Sequence, residues 1–87
     1  MPYIAKEDRP RYDETLDQLI EKLKERPVEN VDGDINYCVT RILKEVYPLR
    51  YFHLNRAMGV LSCIQQEFYR RVAAPYEDTK IQQNGDV

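Results

Sequence analysis

The chain has 87 residues, 43% of them hydrophobic and 32% charged, and its formal net charge is −2. This length predicts a single domain over residues 1–87, and the hydrophobic content excludes a disordered chain. The acidic balance makes a dedicated nucleic-acid-binding protein an unfavourable interpretation, because phosphate neutralisation needs clustered Lys and Arg.

The sequence contains no evident membrane or export signal. No apolar run approaches the ~18 residues of a membrane-spanning helix, and Met1-Pro2-Tyr3-Ile4 is followed directly by charged residues, unlike a secretory signal peptide. We therefore expect a cytoplasmic protein in which Cys38 and Cys63 are reduced rather than bridged.

The first helix is predicted over about 9–26. Apolar residues recur at the spacing of one helical face, at Tyr12, Leu16, Leu19, Ile20 and Leu23. We expect Asp8 or Glu7 to cap this helix, Pro10 to lie in its first turn, and Pro27 to end it.

The second helix is predicted over about 33–47, after a linker at 28–32, with Asp32 or Asp34 as its cap. One face is apolar and carries Ile35, Cys38, Val39, Ile42, Leu43 and Val46. Tyr37 and Arg41 lie on the opposite face. Pro48 is expected to end the helix.

The third helix is predicted over about 51–74, and Pro75 is expected to kink or end it. Its apolar positions cover about half of its circumference, which favours contact with two neighbours at once. A short helical extension then ends at Asn84-Gly85. The predicted fold class is all-α, a three-helix core with a short C-terminal helical extension.

Catalytic and metal-binding patterns are not evident. His53 is the single histidine, and the two cysteines lack the spacing of a zinc site. We therefore predict no metal, no cofactor and no catalytic residue, and expect a non-enzymatic protein. A hydrolase or redox-sensitive protein built on Cys63 and Glu67 is the weakest hypothesis, because no base is evident for the thiol.

The predicted interaction surface consists of a polar stripe on the third helix, together with Tyr37 and Arg41 of the second. The stripe contains Arg56, Gly59, Cys63, Glu67 and Arg70, and Glu67 is expected to orient one of the arginines. A glycine inside a helix costs about 1 kcal/mol relative to alanine. Gly59 therefore indicates either close approach of a group external to the helix or packing under the protein's own first or second helix. The candidates for the close approach are the N-terminal segment around Tyr3 and Ile4, a second subunit and a ligand.

Two functions are compatible with these features. The first is a non-enzymatic interaction or regulatory module, which associates as a homodimer and can bind a protein partner. It follows from the small core and from the supply of 7 tyrosines, which suit interfaces or the ends of a small core. The alternative is a nucleic-acid- or nucleotide-associated protein. It would use the basic middle segment, residues 37–74, which holds six Lys/Arg and two Asp/Glu, and would bind through Arg41, Lys44, Arg56, Arg70 and Arg71.

Several segments together carry a family resemblance: Met1-Pro2-Tyr3-Ile4, Gly33-Asp34-Ile35-Asn36-Tyr37, Leu54-Asn55-Arg56-Ala57-Met58-Gly59-Val60-Leu61, Glu67-Phe68-Tyr69-Arg70-Arg71, Ala74-Pro75-Tyr76-Glu77-Asp78 and Asn84-Gly85-Asp86-Val87. The chain resembles a family of small uncharacterised helical proteins from bacteria and phages over nearly its whole length. The resemblance implies a compact helical domain and carries no activity.

Overall fold

The computed structural model describes residues 4–87, so the predictions that involve Tyr3 lie outside the described residues. Within this range the chain is about 85% helical and contains no strand, which confirms the all-α fold class. The elements in chain order are a 3-10 turn (Lys6–Asp8), α1 (Pro10–Lys24), α2 (Val28–Val46), α3 (Tyr51–Phe68), a π-helical segment (Tyr69–Ala73) and α4 (Ala74–Asn84).

The chain divides into two units, Met1–Val46 with α1 and α2, and Tyr47–Val87 with the remaining helices. The expectation that both belong to one domain stays a prediction. In residues 4–87, no helix combines the length and the hydrophobicity that crossing a bilayer requires.

The start of α1 differs from the sequence prediction in its cap. Pro10 is in the first turn, as predicted, but the N-cap is Arg9 and no side chain caps the helix. The prediction of Asp8 or Glu7 as the cap is wrong, because both acids belong to the preceding 3-10 turn. The N–H of Asp8 already donates to the carbonyl of Ala5 at 3.0 Å within that turn.

The predicted linker at 28–32 is wrong, because α2 begins at Val28. α1 ends at Lys24, two residues before the predicted end at about Arg26, and α2 begins directly after Pro27, whose carbonyl accepts the N–H of Asn30 at 2.9 Å. Gly33 therefore lies inside α2 rather than at its start. The signal for the earlier start was Val31, which is half-buried and lies seven residues before the half-buried Cys38 on the same helical face.

The third predicted helix begins at Tyr51 as expected, but it does not end near Pro75. It continues through the π-helical segment and α4 as one helix of 34 residues. Pro75 has no N–H, and its ring would clash with the carbonyl four residues earlier in a regular α-helix. The wider π turn before it accommodates the ring, and there the N–H of Ala74 donates to the carbonyl of Tyr69. The helix ends at Asn84 as predicted, where Gly85 has a φ of +89°.

Burial is sparse in the described residues. Ala57 is the one buried hydrophobic residue among them, at 7% exposure. The apolar stripes predicted for the helices are present, but their large side chains lie half-buried or exposed.

Candidate interaction surfaces

The polar face of α2 carries an open groove that includes two of the predicted surface residues. The Nη1 of Arg41 donates to the hydroxyl of Tyr37 at 3.5 Å, one helical turn away. A second hydrogen bond lies on the same face: the Oγ1 of Thr40 donates to the Oδ1 of Asn36, one turn earlier, at 3.2 Å. The groove is lined by Asp32, Gly33, Asn36, Tyr37, Thr40, Arg41, Lys44 and Glu45. Its mixture of charges and hydroxyls suits hydrogen bonding to a polar partner.

The five residues predicted as a polar stripe on the third helix do not share one environment. Arg56 and Gly59 are exposed, whereas Cys63 and Glu67 are half-buried. Arg70 lies in the π-helical segment, where the angular spacing of an α-helix does not hold.

Ion pairing on this helix involves Glu67 and an arginine outside the predicted stripe. The Oε2 of Glu67 lies 3.6 Å from the Nε of Arg71, one turn further along. The expectation that Glu67 orients Arg56 or Arg70 stays a prediction.

The guanidinium of Arg56 lies over the ring of Phe52, 5.6 Å from its centroid. The ring of Phe52 meets that of His53 edge to face, with centroids 5.1 Å apart. This cluster of Phe52, His53 and Arg56 at the start of α3 was missed from the sequence. Its signal was the four-residue spacing of Phe52 and Arg56, which places the two side chains on one helical face.

The backbone of Gly59 has open space beside it. Apart from its two chain neighbours and the adjacent backbone of its own helix, no described atom lies within 4 Å of the position that a Cβ on this residue would occupy, so a methyl group would fit there. The two interpretations of Gly59, close approach of an external group and packing under the first or second helix, stay predictions.

Cys38 and Cys63 are both free and both half-buried. The structure therefore gives Cys63 no advantage in exposure over Cys38. Among residues 4–87, no three His, Cys, Asp or Glu side chains converge where they could hold a metal ion.

Large apolar side chains are exposed on two of the helices. On α1, Tyr12, Leu16 and Ile20 follow each other at four-residue spacing and are 50%, 48% and 43% exposed. On α3, a second group of large side chains is exposed at Tyr51, Leu54, Met58 and Phe68. Their periodicity had predicted a core position for most of them, because an apolar face has the same pattern whether it packs within the chain or against a partner.

The chain belongs to a family described as a domain of unknown function (DUF6899), which it matches over residues 1–87. Comparison with curated proteins and with solved structures gave no match.

Proposed function

We propose that this chain is a non-enzymatic interaction module that associates with itself as a homodimer. The supporting observation is the combination of long, regular helices with large apolar side chains that remain half exposed. Among the described residues, only Ala57 is buried.

The physical reason is that amphipathic helices need a cover for their apolar faces. Isolated helices shorter than ~12–15 residues are marginal in water, and at any length most helical stability in proteins comes from packing of the apolar face. The helices of this chain have 15, 19 and 34 residues. A second copy would supply the missing cover and would thereby stabilise both chains.

The two alternative functions receive less support. Three of the five basic residues proposed for nucleic-acid binding already interact with a neighbour on their own helix: Arg41 with Tyr37, Arg56 with Phe52, and Arg71 with Glu67. Cys63 and Cys38 are equally free and half-buried, so the structure adds no support to the hydrolase or redox hypothesis. Regulation of a protein partner, a cytoplasmic location and an origin of the family in bacteria and phages remain parts of the proposal.

Sedimentation equilibrium of the full chain, from about 1 to 200 µM, tests the proposal. We expect a concentration-dependent species of twice the chain mass. The midpoint of thermal unfolding should rise with protein concentration, because association stabilises the folded chain by mass action. A monomer across the whole range, with a midpoint independent of concentration, would overturn the proposal.

A further inference from the structure

α3 presents two distinct faces. The buried or half-buried residues of this helix are His53, Ala57, Val60, Leu61, Cys63 and Glu67, and they centre on one face. On a wheel of 100° per residue, the centre of the exposed apolar group lies about 110° away from the centre of this face. The exposed apolar group is therefore centred on a different side of the helix from the buried face, and the two adjoin at Ala57 and Leu61.

Together with the half-buried Leu61 and the polar Gln65, the exposed apolar residues have the spacing of a helix-packing seam, called the α3 seam below. Its positions alternate by three and four residues through the whole of α3, and they are Tyr51, Leu54, Met58, Leu61, Gln65 and Phe68. This is the a and d pattern of the heptad repeat, in which such residues face a second helix. Tyr51, Met58 and Phe68 are 85%, 65% and 63% exposed, and Leu61 is half-buried. The seam ends where the π-helical segment begins, because an added residue in the turn shifts the register of the residues beyond it.

We propose that a second copy of this chain docks on this α3 seam in parallel, so that the two Gln65 side chains meet. This inference rests on the proposed self-association and names the surface responsible. Three properties of the seam favour an identical occupant: its charge, Gln65 and its area.

Charge permits two identical helices to meet here. The positions that flank the seam within α3 are uncharged: Asn55 and Ser62 on one side, Ala57 and Ile64 on the other. Flanking positions set partner choice in paired helices through attraction or repulsion between charges. Two copies of α3 therefore bring no like charges together along the seam.

The apolar stripe of α1 lacks this property. Asp13, Asp17 and Glu21 each follow directly after a member of the stripe, at Tyr12, Leu16 and Ile20 respectively. Two copies of α1 would place these carboxylates near one another, at a cost in Coulomb energy. The α3 seam is thus the better surface for self-association.

Gln65 indicates an identical partner more directly than the absence of flanking charges does. It is the one polar residue of the seam, and an apolar partner surface would leave its amide without hydrogen bonds. A glutamine amide both donates and accepts, so two of them can satisfy each other. A single polar residue at such a position also fixes the register of paired helices.

The area available matches a modest dimer. The exposed part of the seam is on the order of 500 Å² on each copy, taking ~150–250 Å² for a fully buried aromatic side chain as the scale. Ile64, which is 50% exposed and flanks the seam, adds to this area. Standard stable interfaces bury about 800 Å² on each partner, so the α3 seam alone would form an interface smaller than the standard size.

Gln65 and Gln66 provide a matched test, because they are adjacent, chemically identical and both exposed, and only Gln65 belongs to the seam. Sedimentation equilibrium of the full-length variants gives their dimer dissociation constants. At pH 7, we expect Gln65→Glu to weaken the dimer at least tenfold, because the two carboxylates would meet. Gln66→Glu changes the net charge equally and should leave the dissociation constant within twofold of the wild type. Gln65→Leu should strengthen the dimer at least tenfold, since it removes the desolvation of two amides.

Circular dichroism of each variant at high concentration verifies that the helices are retained. Equal effects of Gln65→Glu and Gln66→Glu would overturn the seam while leaving the proposed self-association intact. A dimer strengthened by Gln65→Leu but insensitive to Gln65→Glu would show that Gln65 lies in the interface but does not face Gln65 of the other copy. That result would overturn the parallel alignment. A monomeric wild-type chain would overturn both the seam and the proposed function, and would leave a different protein as the partner of this surface.

Discussion

Arg26 and Asp34 form a two-point ion pair beside the junction of α1 and α2. The Nε of Arg26 lies 2.8 Å from Oδ2 of Asp34, and its Nη2 lies 3.4 Å from Oδ1. Arg26 belongs to the short connection between the helices, and Asp34 lies in the second turn of α2. The pair therefore connects the end of one helix to the body of the next, and the planar guanidinium matches both carboxylate oxygens.

We predict that this pair makes stability depend on pH in a defined direction. Hydrogen bonding from Arg26 lowers the pKa of Asp34 below its usual value. A group with a lowered folded-state pKa contributes stability that is complete above its unfolded pKa of about 3.9, and that is lost as pH falls through the lower folded value. The midpoint of thermal unfolding, measured by circular dichroism between pH 7 and pH 2, should include this loss in the wild type and lack it in Asp34→Asn.

Asp32→Asn is the control for that experiment, because Asp32 is an exposed carboxylate only two residues away. We expect it to leave the acid transition as in the wild type. The effect of Asp34→Asn at pH 7 should be small, within a few degrees, since both partners are accessible to solvent. Identical acid transitions for Asp34→Asn and the wild type would show that the pair contributes nothing.

The helix ends show which parts of the fold the sequence could predict. The four-residue and three-residue spacing located α1, and the Asn84-Gly85 pair located the end of α4. The start of α2 differs from the prediction because the residues after Pro27 are interpreted as a linker and Asp32 or Asp34 as the cap, whereas the helix begins at Val28. Local preferences of this kind are weak, and packing of one more turn with Val31 on the inner face outweighs them.

The candidate surfaces were predicted in part. The pattern placed Tyr37 and Arg41 together on the polar side of α2, where a hydrogen bond joins them. It could not distinguish an apolar face that packs inside the chain from one that stays exposed, as at Met58. Both faces require the same residues at the same spacing, so their difference lies in tertiary contacts that sequence periodicity does not record.

Alanine substitutions at the glycines should change the stability of the folded chain in opposite directions, depending on the backbone conformation of each glycine. Gly59→Ala should stabilise the folded chain by about 0.5–1 kcal/mol, because Gly59 lies inside a helix and a Cβ there meets nothing within 4 Å. Gly33→Ala should act similarly for the same reason. Chemical denaturation followed by circular dichroism measures both, and Gly59 lies off the α3 seam, so its substitution should leave self-association unchanged. Weaker self-association of Gly59→Ala would instead identify a contact with the glycine backbone.

Gly85→Ala serves as the comparison, since Gly85 has a φ of +89° and a non-glycine residue is strained there. We expect it to fray the last turn of α4, where the N–H of Gly85 donates to the carbonyl of Ile81 at 2.7 Å. Faster hydrogen exchange at residue 85 would report the fraying. Stabilisation by all three alanine substitutions alike would contradict the conformational argument.

Pro75 offers the strongest test of how the long helix is built. Its ring prevents regular α-helical hydrogen bonding to the carbonyl of Arg71, and the chain accommodates it with the π-helical turn that precedes it. Pro75→Ala restores an N–H donor and removes the steric conflict. We therefore expect residues 69–73 to become α-helical and the free energy of unfolding to rise by about 1–3 kcal/mol.

The same substitution has a consequence for self-association. With a regular α-helix through residues 69–73, the three- and four-residue spacing of the α3 seam would continue from Phe68 to Val72, which is 53% exposed. The dimer of Pro75→Ala should then be tighter than that of the wild type in sedimentation equilibrium. Pro10→Ala is the control, because Pro10 lies in the first turn of α1, where a proline removes no helical hydrogen bond. Equal changes in stability for the two substitutions would contradict Pro75 as the cause of the π turn. A stabilised Pro75→Ala with an unchanged dimer would show that the seam ends at Phe68 for a reason other than register.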